Sequence, residues 1–232
     1  MTDLVLYGSP LSPFVRKVEA VMQIKGLAYG LEPVDVFNMS DAFRQISPLG
    51  RIPVLRDRRV GEVGPSGTIP DSSAICAYLE AVAPDPALLP ADPFLRGRAV
   101  WLEEYADTGL AATGGLGIFR AILFPSKDGA PPPDLNGARG CWREKMPRYL
   151  DYMDAELDGR AYFVGEALTL ADLSIATQLL QLDLVAGPLP LSGWPGLDRF
   201  LARMRDATCF ASNLESGRAF VERRLGGPVT LV

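Results

Sequence analysis

The spacing of apolar positions changes several times over the first eighty residues. Asp3–Tyr7 (DLVLY) is a short apolar run that stops at Gly8-Ser9-Pro10, which predicts a strand closed by turn residues. From Pro13 the period becomes helical. Phe14, Val15, Val18, Val21, Met22 and Ile24 share one face, and Gly26 follows, so a helix is predicted over Pro13–Lys25. A second strand over Tyr29–Val34 and a short helix over Met39–Ile46 come next. Ser47-Pro48-Leu49-Gly50-Arg51-Ile52-Pro53 reads as a turn into a third strand at Val54-Leu55, and glycines interrupt a fourth strand within Gly61–Ile69. Ser72–Ala83 is a helix opened by Asp71 or Ser72 as N-cap. The predicted order is β-α-β-α-β-β-α.

Beyond Pro84–Pro90 (PDPALLP), a proline-rich connector, only helical periodicity remains. Helices are predicted over Pro93–Tyr105, Ala138–Leu157, Leu170–Asp183, Gly196–Arg205 and Asn213–Arg224, with Pro131-Pro132-Pro133 excluded from regular structure. Gly109, Gly114, Gly115 and Gly117 break what is otherwise one long helix, and a kink is expected there. Leu168-Thr169-Leu170-Ala171-Asp172-Leu173 has the spacing of a capping box with a hydrophobic staple. The expected organisation is an α/β domain over residues 1–83, a linker over 84–90 and an all-helical domain over 91–232.

Composition narrows the chemistry. With 48% apolar residues in 232, the chain can bury a proper core. No apolar run approaches the ~20 residues that span a bilayer, and Met1-Thr2-Asp3 offers no basic n-region. A cytoplasmic, soluble protein is expected. Histidine is absent, which removes His general bases, Ser-His-Asp arrangements and most zinc sites. Cys76, Cys141 and Cys209 lie too far apart for a metal spacing and are expected as small buried hydrophobes. The net charge is −5, and Arg56-Asp57-Arg58-Arg59 is expected as a solvated loop, so neither nucleic acid nor a membrane is an expected partner.

Residues 4–27 (LVLYGSPLSPFVRKVEAVMQIKGL) resemble the opening of cytosolic-type glutathione transferases, in particular the bacterial and theta-like group. Arg51-Ile52-Pro53-Val54-Leu55 is similar to the family's basic residue, aliphatic residue and cis-proline ahead of the third strand. Ile69-Pro70-Asp71-Ser72-Ser73-Ala74-Ile75 is similar to the acidic-Ser-x-Ala-Ile element that opens the third helix. The Thr169–Asp172 cap resembles one that recurs in the family's second domain. The resemblance covers nearly the whole chain in order. It implies a thioredoxin-like N-terminal domain with an all-α C-terminal domain, glutathione as co-substrate, no metal, and a homodimer.

The resemblance places Ser12 on the activating serine, with Ser9 and Tyr7 as rivals. Residue chemistry leaves two roles open for Ser12. Followed by Pro13, it caps the helix; equally, a hydroxyl beside orphan N–H groups can stabilise a thiolate. Ionising a thiol of pKa near 8.5 at pH 7 needs a shift of about 2 units, or about 2.7 kcal/mol, within reach of one hydrogen bond to a charged acceptor plus a helix terminus. Arg16 either supports that thiolate or is a solvated helix residue. A serine at position 12 argues against the cysteine-bearing classes. By resemblance, Pro53 is cis, the backbone of Ile52 pairs with the cysteinyl backbone of glutathione, and Arg51 meets its glycyl carboxylate. Asp71 and Ser72 take its γ-glutamyl end. Leu11, Trp101, Tyr105 and Phe119 are candidates for an electrophile pocket, with core packing the other reading of the aromatics. The implied function is addition of glutathione to a small apolar electrophile. The alternatives are a zeta-like isomerase, whose Ser-Ser-Cys cluster is missing here, and a non-catalytic binding protein on the same fold.

Overall fold

The strands and helices of the first unit follow the predicted order. β1 (Leu4–Gly8) and α1 (Pro13–Ile24) lead to β2 (Tyr29–Pro33), α2 (Asp41–Ile46), β3 (Val54–Asp57), β4 (Thr68–Ile69) and α3 (Ser72–Val82). The computed structural model describes residues 2–124 and 132–232; Pro131 of the proline run lies outside them. The chain divides into two units, Met1–Leu88 and Leu89–Val232.

In the first unit the sheet order is β2-β1-β3-β4. β1 is parallel to β2 and antiparallel to β3, and β4 is antiparallel to β3. β1 is central because Leu4, Val5 and Leu6 are buried together, as a strand covered on both faces must be. The register sets where loops meet. Tyr7 pairs with Val54 and Leu55 with Ile69. The end of β1, the start of β3 and the end of β4 therefore lie at one edge, and the loop after β1, the turn before β3 and the start of α3 emerge there together.

Arg56–Arg59 is not a solvated loop. Arg56 and Asp57 end β3 and are buried. The Arg56 guanidinium donates to the carbonyls of Gly61, Gly64 and Ser66 at 2.7–3.2 Å, which folds the glycine-rich segment back and leaves β4 only two residues long. Asp57 accepts from the Arg59 guanidinium and from the Tyr78 hydroxyl, and these donors hold its carboxyl down at about 2. Lys25 fastens the far end of α1, donating to the carbonyls of Ala83 and Pro86 at 2.7 and 2.9 Å and pairing with Glu80 at 2.7 Å.

The second unit is helical: α4 (Pro93–Glu104), a π-helix (Tyr105–Arg120), α5 (Ala121–Leu123), α6 (Leu135–Glu144), α7 (Pro147–Leu157), α8 (Leu170–Ala186), α9 (Pro195–Arg205), a 3₁₀ turn (Thr208–Phe210) and α10 (Ala211–Leu225). α8 is its axis, packed against α4, the π-helix, α9 and α10. Two expectations are corrected. Ala138–Leu157 is not one helix: Pro147, which has no N–H and would clash inside a helix, instead starts α7 at its N1 position. The glycines do not end the long helix; it continues through them in π form. Their role is close approach. A Cβ at Gly109 would lie 2.8 Å from the Tyr149 ring, and one at Gly117 would lie 2.4 Å from Cys141 Sγ.

Cys76 and Cys141 are buried and Cys209 partly so. Among the described residues no helix is long and apolar enough to cross a membrane.

Candidate functional site

At the edge shared by β1, β3 and α3, the loop Ser9–Ser12 is pinned from within. The Ser12 N–H donates to the Ser9 carbonyl at 2.9 Å, and the Leu11 N–H lies 3.4 Å from Ser9 Oγ. Ser12 stands at the N-cap of α1 in an extended conformation, with Pro13 at N1. Its Oγ accepts from the Val15 N–H at 3.4 Å, a long bond that uses an oxygen lone pair and leaves the hydroxyl proton free to be donated. The first turn of α1 holds no acidic residue.

Arg16 is not a solvated helix residue. It is fully buried, its guanidinium reaches back to the Pro10 carbonyl at 3.4 Å, and burial lowers its pKa to about 10 against an opposing pull from Glu19. Tyr7 leans away from this loop. Its ring packs with Phe43, 6.4 Å between centroids, in a cluster with Ile46, Val54, Val34, Met39 and Ile52. The core reading of Tyr7 is the one its surroundings match.

The turn before β3 is clamped by one side chain. Ser47 Oγ donates to the Arg51 carbonyl at 2.7 Å and accepts from the Arg51 N–H at 3.0 Å. Gly50, at φ 59°, makes the left-handed step inside that clamp. The Ile52–Pro53 bond is cis, as the resemblance implied; Ile52 is half-buried and the Arg51 side chain is exposed.

At the start of α3, Asp71 is the N-cap, and its Oδ1 accepts from the N–H groups of Ser73 and Ala74 at 3.0 Å each. Those two donors are therefore already taken, and the start of α3 offers a ligand Ser72 and the second carboxylate oxygen of Asp71. Sequence reasoning passed over two residues here, Lys17 and Ser73. Lys17 is fully buried, and its ammonium donates to Ser73 Oγ at 3.3 Å. The only sequence signal was a charged side chain on an otherwise apolar face of α1.

The expected electrophile residues belong to both units. Leu11 is half-buried in the loop after β1. Trp101 and Tyr105, in the second unit, belong to one aromatic cluster: Tyr105 stands 5.9 Å from Trp101, 5.7 Å from Tyr149 and 4.7 Å from Tyr152 between centroids. Trp101 is 48% exposed, and its indole N–H donates to the Tyr152 hydroxyl at 3.0 Å. Burial pushes the Tyr105 phenol up to about 12, whereas the Thr113 and Arg148 donors pull Tyr149 down. Phe119 is buried and packs on Phe124, apart from that cluster.

Known proteins are similar to this chain in sequence and fold. A family model of the glutathione S-transferase N-terminal domain matches residues 6–87, and one of the C-terminal domain matches residues 99–203. Glutathione S-transferase 3 of Zea mays is 30% identical over 181 residues, covering 76% of this chain and 77% of that protein. The uncharacterized GST-like protein YibF of Escherichia coli (strain K12) is 32% identical over 174 residues, covering 74% and 78%. Among solved structures, a glutathione S-transferase from Rhodospirillum rubrum F11 matches with a TM-score of 0.75 at 27% identity, over 90% of this chain and 91% of that one.

Proposed function

The chain belongs to the glutathione S-transferase family, and from that premise we propose that its first unit binds glutathione and ionises the thiol at Ser12 for attack on a small apolar electrophile. The fold is the family's, a thioredoxin-like unit followed by a helical one. The observation that carries the reading is Ser12 itself: a capping hydroxyl with its proton to spare, at a helix end without acidic residues, on a loop held by the buried guanidinium of Arg16.

Glutathione lies along the sheet edge with its cysteine paired to the Ile52 backbone, its glycyl carboxylate near Arg51, and its γ-glutamyl ammonium and carboxylate near Asp71 and Ser72. Ser12 Oγ–H donates to the sulfur. The thiol proton leaves to solvent, so no general base is required, in keeping with a chain that has no histidine. The sulfur lone pair then forms the new C–S bond as the electrophile loses its leaving group or opens its ring. Hydrogen bonding to the charged form and the helix dipole lower the thiol pKa for the same reason: both favour the anion. Within the second unit, the half-exposed Trp101 and Tyr105 are the candidates for holding an apolar group. The protein acts in the cytoplasm as a homodimer, and neither nucleic acid nor membrane is a partner.

Calorimetric titration with glutathione, paired with thiolate absorbance from pH 5 to 9, tests this. Binding with an absorbance step well below pH 8.5 is expected. Binding without the step would sink thiol activation, and no binding would leave only the fold.

A further inference from the structure

We propose that the second unit binds an aliphatic α-amino acid in the cavity between α8 and α10. Every residue lining that cavity belongs to this unit, so the inference is independent of the glutathione site.

The cavity has a volume of about 260 Å³, room for on the order of nine water-sized groups at ~30 Å³ each. Its walls follow helical spacing. Leu180, Asp183 and Leu184 border it from α8. Leu214, Arg218, Val221 and Glu222 border it from α10, at i, i+4, i+7 and i+8 on one face of that helix. The two helices approach closely beside it, since a Cβ at Gly217 would lie 2.8 Å from Leu184 Cδ1. Gly226 and Gly227, at φ 71° and 130°, then turn the chain out of α10. Pro228 joins the wall, and the Val229 N–H fastens the tail to the Val185 carbonyl at 2.8 Å.

The four aliphatic side chains of the wall are buried, yet each borders the cavity. A side chain so placed forfeits contacts that a close-packed core supplies, and a branched aliphatic group restores them. Charge selects the rest of the ligand. Asp183 is committed: it accepts two bonds from the Arg205 guanidinium at 2.7 and 2.8 Å, and one from the Leu189 N–H at 3.0 Å. Arg218 and Glu222 are not, for neither side chain has a hydrogen-bond or ion-pair partner among the described residues. They stand one turn apart, about 5–6 Å between Cβ atoms, with arginine first, the weaker order for an i, i+4 pair. A carboxylate alone would meet Arg218 and be repelled by Glu222; an amine alone would meet the reverse. A molecule whose carboxylate and ammonium share one carbon pairs with both, and its side chain enters the cavity. Leucine has the size and the branching.

Calorimetric titration of the full-length protein with four ligands tests this. These are L-leucine, glycine, which lacks the side chain, 4-methylpentanoate, which lacks the ammonium, and 3-methylbutylamine, which lacks the carboxylate. Leucine is expected to bind, and each of the others at least about tenfold more weakly. Arg218 and Glu222 are exposed, so Arg218→Gln and Glu222→Gln keep the fold. Arg218→Gln should weaken leucine about tenfold and leave 3-methylbutylamine unchanged. Glu222→Gln should weaken leucine by a similar factor without weakening 4-methylpentanoate. Glycine binding as tightly as leucine would remove the cavity from the scheme, and either singly charged ligand matching leucine would remove the paired charges. Each of those results overturns the inference, as do variants that hold leucine like the wild type, or no leucine binding at millimolar concentration.

Discussion

Among the helices that begin at a hydroxyl residue, α1 at Ser12 and α8 at Thr169 use it in opposite ways. At α8 the third helical residue is Asp172, fully buried, whose carboxylate accepts from the N–H and hydroxyl of Thr169 at 2.7 and 2.8 Å and from the Phe163 N–H at 2.9 Å. The threonine and the aspartate at that helix end answer to each other within the protein. At α1 the third position is Val15, the serine bond is long, and the buried charges that follow along the helix are Arg16, Lys17 and Glu19. A carboxylate at that position closes a helix end, whereas an apolar residue there leaves the capping hydroxyl's proton for another acceptor.

That contrast can be broken. Asp172→Ala strands the buried N–H groups of Thr169 and Phe163, and we expect a loss of about 3 kcal/mol in unfolding free energy, read by denaturant titration. A loss below about 1 kcal/mol would mean that the α8 cap is as dispensable as the α1 cap. Ser12→Ala should do the reverse. Stability changes by less than about 1 kcal/mol, while kcat/KM with an aryl halide at pH 6.5 falls about 30-fold, as the loss of a hydrogen bond to a charged acceptor requires. Full activity in that variant would end the thiolate role.

Arg16→Met sharpens the comparison by removing the cation nearest the Ser12 loop. The thiolate midpoint is expected to rise by about half a unit, and an unmoved midpoint would reduce Arg16 to a brace for the Pro10 carbonyl. The smallest effect is a pH profile. Arg16 keeps its charge until about pH 10, since a lowered base pKa removes the proton only above that value. With no histidine present, kcat/KM should rise through a single thiol ionisation and stay flat to pH 9. A second inflection between pH 5 and 9 would point to an ionisation outside this scheme.

The elements of the first unit were legible in the sequence because its periodicities and turn residues agree: strand, Gly-Ser-Pro, then an amphipathic helix from Pro13. The Thr169–Asp172 cap was equally plain. What pattern could not supply was the fate of charges. Arg56 and Asp57 read as part of a solvated loop, Arg16 as either solvated or a support for the thiolate, and Lys17 drew no reading. Yet all four are buried, the cations donating to carbonyls or a hydroxyl and Asp57 accepting from Arg59 and Tyr78. The glycines of the π-helix misled for a related reason. Their cost in a helix is local, whereas their use, admitting Tyr149 and Cys141, depends on helices far along the chain. Pro147 was simply underweighted inside an otherwise helical stretch.

Both lysines of the unit Met1–Leu88, Lys17 and Lys25, are turned inward, and Lys25 is fixed to Glu80 and to the carbonyls of Ala83 and Pro86. To an acylating reagent, that whole unit presents no side-chain amine in its folded state. Acylation at Lys25 would therefore report release of the end of α3, and coupling through Lys145, exposed in the second unit, would tether the protein with its first unit unmodified.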